Sequence, residues 1–341
     1  MNPIQSVTTR PVEINVVEPV SPALERVKRV LFQPFDLGKW FVIGFCAWLA
    51  CLGEGGGSGF HVPGGGGGGG GHGGGGANFR HEFEHAKDYV LSKLDWIVTL
   101  AAAVVVIGLG IWLLFLWLNS RGKFMFLHCV ALDQAEVSKP WSQFAHEGNS
   151  LFLFRLGLGL IGWVLTLPLV VMIAVMIYRM VQRGEPDAGG MLGAAGLGLV
   201  LIAVAMVFAI IRKLTTDFVV PIMFLRRSRC LTAWKELWTL LSAQAGQFIL
   251  YFLFSIVLAM AIGMMVVMIM IVTCCFCCMM LLPYVGTVVL LPVFMFKRCY
   301  SLYFLAQFGR EYDVFPPAAP PAAPPAAPPA APPVPATPPT M

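Results

Sequence analysis

The sequence predicts an all-α, polytopic membrane protein: a six-helix transmembrane bundle with amphipathic helices at the membrane surface. Three observations carry that expectation. The chain is 57% hydrophobic and only 12% charged, with a mean hydropathy of +0.76, whereas soluble domains are nearer half apolar and a quarter charged. No charged residue lies between Glu236 and Lys297. That stretch holds two apolar runs, 248–272 and 276–296, and a helix needs about 20 apolar residues to cross a hydrocarbon core of roughly 30 Å. The third observation is that the same hairpin pattern occurs twice more upstream.

The elements follow in chain order. Residues 1–22 are polar and contain Pro3, Pro11, Pro19 and Pro22. They read as a flexible tail without the short apolar core of a cleavable signal, so the first span is expected to direct insertion. The membrane domain is expected over 23–315. It opens with an amphipathic helix, 23–32, whose spacing groups Leu24, Val27 and Leu31 on one face, as for a helix lying on a membrane surface. The first span is 37–52. It is short unless Phe35 and the stem of Lys39 are counted, with the ammonium snorkelling to the interface.

Residues 53–76 form a Gly-rich loop that includes an unbroken run at 64–71. Dense glycine offers no side chain to bury and has a large ordering entropy, so disorder is expected. A phosphate-cradling loop would need a strand before it and a helix after it, and the sequence offers neither. Residues 79–95 look helical and lead into the second span, 96–118.

Residues 119–150 are polar and amphipathic. Ser138 followed by Pro140 predicts a helix start, with serine as cap and proline in the first turn. The third span, 151–177, begins near Arg155 and is interrupted by Pro168. The fourth is 191–211. The basic segment 212–247 places Leu231, Trp234, Leu237, Trp238 and Leu241 at helical spacing, which predicts a second surface helix. The fifth and sixth spans are the runs 248–272 and 276–296. A short aromatic helix, 300–308, follows Lys297 and Arg298. From Pro316 to the end, a Pro-Pro-Ala-Ala repeat predicts an extended polyproline tail, disordered and without tertiary contacts.

Orientation follows from Lys and Arg, which accumulate on the cytoplasmic side. With six spans and the N-terminus inside, the inside segments hold 18 of the 23 Lys and Arg residues. Both termini are therefore expected in the cytoplasm. A weak internal repeat supports three like-oriented hairpins, a parallel arrangement found in some transporter folds. Phe124-Met125-Phe126-Leu127, Ile222-Met223-Phe224-Leu225 and Leu302-Tyr303-Phe304-Leu305 follow the second, fourth and sixth spans. Trp141-Ser142-Gln143-Phe144 and Trp234-Lys235-Glu236-Leu237 precede the third and fifth. Interfacial preference for aromatics is the competing explanation.

Several short motifs carry a resemblance. Gln33-Pro34-Phe35-Asp36, Glu147-Gly148-Asn149-Ser150, Asp217-Phe218-Val219-Val220-Pro221, Leu282-Pro283-Tyr284-Val285-Gly286-Thr287 and Tyr300-Ser301-Leu302-Tyr303-Phe304-Leu305 with Gln307-Phe308-Gly309 resemble an uncharacterised family of bacterial six-span inner-membrane proteins. That family is distantly similar to the membrane domain that precedes the catalytic domain in some glycerophosphoryl diester phosphodiesterases. The resemblance covers about residues 24–315. It implies a six-helix module in the bacterial inner membrane. The catalytic domain has no counterpart here, so phosphodiester hydrolysis is not implied.

Three features could carry chemistry. His81-Glu82-Phe83-Glu84-His85 fits H-E-x-x-H, in which His81 and His85 would hold zinc and Glu82 would act as general base. The stretch is locally rich in His and Glu, borders the Gly-rich loop and has no evident third ligand. Cys274-Cys275-Phe276-Cys277-Cys278 offers two overlapping C-x-x-C pairs. Its neighbours are apolar, and free Cys in such surroundings behaves as a small hydrophobe. Lys39, Arg155 and Asp217 are polar groups in or beside spans, which can mark a substrate path. All three fall near the inside interface, where snorkelling or pairing with lipid phosphate accounts for them, and Arg212 or Lys213 is placed to pair with Asp217. Trp141 and Trp234 are the corresponding interfacial aromatics.

No basic patch with interleaved aromatics is found, so nucleic acid is not an expected partner. The nine cysteines sit mostly in apolar runs, unlike a disulfide framework. No cofactor is implied. The sequence therefore favours a non-enzymatic membrane module, transporter-like or lipid-interacting, with anionic lipid as partner at the cytoplasmic face and a protein partner for the Pro-rich tail. The alternative is a membrane metalloenzyme, a zinc hydrolase built on His81, Glu82 and His85.

Overall fold

The computed structural model describes residues 14–52, 94–183, 188–272 and 283–315. Within them the chain is helical throughout, with no strand. Helices α1 (Val20–Phe32) and α2 (Leu37–Cys51) come first, followed by α3 (Leu94–Leu132), α4 (Ser138–Gln143) and α5 (Ala145–Arg183). Next is α6 (Ala188–Leu214), which passes through one π-helical segment (Thr215–Val219) into α7 (Val220–Arg226). Then come α8 (Cys230–Ala243), α9 (Ala245–Val272), α10 (Pro283–Val289) and α11 (Leu291–Ala306). The Gly-rich loop, the H-E-x-x-H at 81–85, the cysteine cluster 274–278 and the Pro-rich tail lie outside the described residues.

Four stretches are long and apolar enough to cross a membrane: Val98–Leu132, Ala145–Met180, Gly189–Arg226 and Ala245–Met268. They make the chain a helical membrane protein, and they cover the second to fifth expected spans to within a few residues at their ends. Each of the first three runs beyond its apolar stretch. At 39 residues, α3 and α5 reach about 58 Å, well past the hydrocarbon core. Pro168 does not interrupt α5. Helix α2 is apolar, but its 15 residues cover only about 22 Å. The described part of the expected sixth span is not one helix. It divides at Leu290 into α10 and α11, because Pro292 in the first turn of α11 has no N–H for the preceding turn.

The buried core does not lie between the apolar stretches. It gathers at one end of them, where the expected aromatic exits meet. Phe124, Met125 and Leu127 of α3, Ile222 and Met223 of α7, and Leu302, Phe304 and Leu305 of α11 are all buried in one cluster. By contrast, α3 is exposed at every described position from Val98 to Trp112. Lipid is as apolar as these side chains, so nothing drives them together.

Both helices expected to lie on the membrane surface are docked on this core. Helix α1 buries Ala23, Val27, Val30 and Leu31 and turns Leu24 outward, 62% exposed. The apolar stripe is thus one residue out of step with the expected one at Leu24. Arg26 Nη2 donates to the carbonyls of Val130 and Ala131 at 3.3 and 2.7 Å, capping the end of α3 as a cation suits a helix C-terminus. Helix α8 buries Cys230, Ala233 and Leu237 and leaves Leu231 and Trp238 outside. Ser138 begins α4 but does not cap it, since Val137 holds the cap position without a side-chain bond.

The helices approach most closely where glycine permits it. A Cβ on Gly122 would stand 2.6 Å from the Leu49 carbonyl carbon and 2.7 Å from the Ala50 nitrogen. Helices α2 and α3 therefore cross backbone to backbone. The quoted Glu147-Gly148-Asn149-Ser150 motif forms a second junction. Glu147 pairs with Arg227 at 3.6 Å, Gly148 lies under Arg121, Asn149 Oδ1 accepts from Trp117 Nε1 at 3.1 Å, and Ser150 Oγ accepts from the Cys230 N–H at 3.0 Å.

Candidate functional site: a basic cavity at the end of the spans

The site begins with Pro221. A proline inside a helix cannot donate to the carbonyl four residues back, and its ring crowds that carbonyl, here Asp217. The chain widens over Thr215–Val219 into a π-helical turn, in which the Val220 N–H reaches the Thr215 carbonyl. Such turns are frequent at functional sites because they redirect side chains. Here the turn presents Thr216 and Asp217 to three other helices. Thr216 Oγ1 accepts from Lys123 Nζ of α3 at 2.8 Å, and the Thr216 carbonyl accepts from Arg298 Nη1 of α11. Asp217 Oδ2 accepts from Lys213 Nζ of α6 at 2.9 Å and from the Tyr251 hydroxyl of α9 at 3.0 Å.

These groups border a cavity of about 140 Å³. Lys123, Thr216, Asp217, Lys297 and Arg298 line its polar side, and Ala47, Ala50, Phe126 and Phe294 its apolar side. Three cations thus face one carboxylate, and that carboxylate already holds Lys213. Arg298 is 8% exposed, and its Nη2 makes no hydrogen bond. The Lys297 ammonium makes no hydrogen bond or ion pair with the described residues. A buried cation short of partners is costly, and this arrangement attracts an anion. Among the described residues, no group of three or more His, Cys, Asp or Glu could hold a metal.

The depth is set by the sequence. Lys123 lies five residues past Leu118, the end of an apolar run, or about 7–8 Å along the helix. Asp217 lies six residues past Ile211, about 9 Å. Lys297 directly follows the run ending at Phe296. The three thus lie one to six residues past the ends of their apolar runs.

Of the expected polar residues, only Asp217 belongs to the cavity. Lys39 Nζ pairs with Asp133 at 2.8 Å. Arg155 donates to Asn119 Oδ1, while Asn119 Nδ2 donates to the Ala50 carbonyl at 2.6 Å. Trp141 stands edge-on to Trp117 at 5.8 Å, and Trp234 packs against Phe154 at 5.9 Å. Lys123, Thr216, Tyr251, Lys297 and Arg298 were not singled out by sequence. The repeat held a usable signal. Asn119, Asp217 and Lys297 each stand five positions before an aromatic exit, at Phe124, Ile222 and Leu302.

Residues 14–282 match a family described as "Family of unknown function (DUF7544)". The chain belongs to DUF7544. No curated protein and no solved structure matches it. The DUF7544 match takes in Lys123, Thr216 and Asp217 and ends before Lys297 and Arg298. It brings no activity with it and makes no connection to phosphodiesterase membrane domains.

Proposed function

We propose that this chain is a non-enzymatic, lipid-interacting membrane module whose basic face meets the anionic leaflet of a bacterial inner membrane. In this reading the module has six spans in three like-oriented hairpins and cytoplasmic termini. Helix α2 and the region before α11 supply the first and sixth spans, as the resemblance to six-span inner-membrane proteins implies. The observation that carries the reading is the convergence of Lys123, Lys213, Lys297 and Arg298 just beyond the apolar runs. Basic groups at that depth are attracted to anionic headgroups by about 1 kcal/mol each. The basic helix α1 is docked on the same end.

Reconstitution tests it. Thermal unfolding of the purified chain is compared in phosphatidylcholine vesicles with and without 30% phosphatidylglycerol (roughly the anionic content the electrostatic argument needs). Higher stability with the anionic lipid, reduced by high salt, is expected. Equal stability in both would overturn the lipid reading.

A further inference from the structure

We infer that the cavity between α2, α3, α11 and the π-helical turn is a binding site for a phosphate group, taken from the membrane as a lipid headgroup. The inference rests on the lipid-interacting reading and gives it an address. Three features separate this site from a generally basic surface. First, it is a half-open, amphipathic recess. Lys123, Lys297 and Arg298 border one side, while Ala47, Ala50 and Phe294 border the other. A phospholipid has that division, with charge and acyl chain joined at the headgroup. Second, the lining holds a buried guanidinium with an unpartnered nitrogen, Arg298 Nη2, next to Lys297, a residue exposed overall. A planar guanidinium matches the tetrahedral oxygens of phosphate with two parallel donors, and a nearby ammonium adds a point charge. Third, Lys297, Lys123 and Asp217 follow the ends of their apolar runs by one to six residues, roughly 2–9 Å along a helix, the depth range in which headgroups would lie.

Asp217 has a definite part in this arrangement. Its carboxylate lines the cavity but is held by Lys213 and the Tyr251 hydroxyl. Those two donors reduce its repulsion of an incoming anion, and they hold the π-helical turn in place. Thr216 fixes the two cations on either side of it, Lys123 through its hydroxyl and Arg298 through its carbonyl. The turn created by Pro221 is therefore what gathers the phosphate-binding groups from separate helices.

The test uses the full chain, delipidated in neutral detergent, with ligand affinity read from thermal-shift titrations. Three probes are compared: a short-chain phosphatidylglycerol, inorganic phosphate and a fatty-acid carboxylate of the same chain length. Lys297→Gln is the main variant, because Lys297 is exposed and its replacement leaves the fold intact. Lys123→Gln is the second. Phosphatidylglycerol is expected to bind, and each variant to weaken it about tenfold, the loss of one charge-assisted hydrogen bond. Inorganic phosphate competing with equal sensitivity to Lys297 would keep the phosphate site and assign it to free phosphate. A carboxylate binding as tightly as phosphatidylglycerol would overturn the phosphate inference and leave the anionic-lipid reading standing. Phosphatidylglycerol binding untouched by either variant would remove the cavity as its site, again without harm to the broader reading. No binding of any probe would sink both.

Discussion

The two ends of the long helices are built on different principles. At the basic end, α1, α2, α7, α8 and α11 close around the last turns of α3 and α6, with Phe124, Phe218 and Phe304 fully buried and cross-chain hydrogen bonds at Thr216 and Asp217. Along the apolar stretches, Trp163, Leu192 and Ile271 stay more than 70% exposed. The first region is packed like a soluble domain and gains from burial of apolar surface. The second has lipid for a solvent and no such force. Specific interactions therefore concentrate at one end of the apolar stretches.

Glycine substitutions probe this contrast most sharply. Gly122→Ala places a methyl against the backbone of α2, which cannot move aside as a side chain would. A loss of about 1–3 kcal/mol or more is expected, seen as a lower unfolding temperature in detergent. Gly157→Ala and Gly196→Ala meet nothing within 4 Å. They should leave stability unchanged or raise it by up to about 1 kcal/mol through helix propensity. Equal losses at all three positions would mean that the arms are as tightly packed as the core.

The next effect is electrostatic. Asp217→Ala removes the acceptor shared by Lys213 and Tyr251 and leaves the Tyr251 hydroxyl, within a buried residue, without its partner. A loss of about 1–3 kcal/mol is expected, and Asp217→Asn should recover part of it by accepting from Tyr251. Thermal unfolding of the two variants checks the order. Arg26→Met is expected to cost less, about 1 kcal/mol, because it removes a helix cap at a partly exposed site.

The smallest effect is chemical. Burial pushes the Cys230 thiol up to about 12. Alkylation requires the thiolate, which is a small minority at pH 8. Maleimide should therefore label Cys230 slowly in folded protein and rapidly after denaturation. Rapid labelling in the folded state would show that α8 lifts off the core, as a true surface helix would.

Much of the architecture was legible in the sequence because lipid imposes a simple rule: a run of apolar residues becomes a helix. The second to fifth spans followed from that rule. The same rule said less about the basic end. Residues 119–132 read as polar and amphipathic, and they continue α3 into the core, because a helix is not obliged to stop where its apolar run ends. Helix α1 has the periodicity of a membrane-surface helix, and periodicity cannot tell whether lipid or protein covers the apolar face. The cavity was harder still. Asp217 was visible as a charge near a span, but Lys123, Lys297 and Arg298 come from helices far apart in sequence. Only the turn before Pro221 brings them to one place.

The strap at the start of the described chain has a consequence for how the protein is made. Asn15 and Gln307 exchange hydrogen bonds at 2.8 and 3.0 Å, and the Tyr300 hydroxyl donates to the Val16 carbonyl at 3.0 Å. The partners of each bond are separated by 292 and 284 positions. During translation the first helix leaves the ribosome long before its counterpart exists, and its apolar stripe must wait, held by lipid or a chaperone, until the last helix is synthesised. Synthesis of α11 is then itself the signal that closes the fold, and a copy terminated before it would present that uncovered stripe to the cell's quality-control machinery.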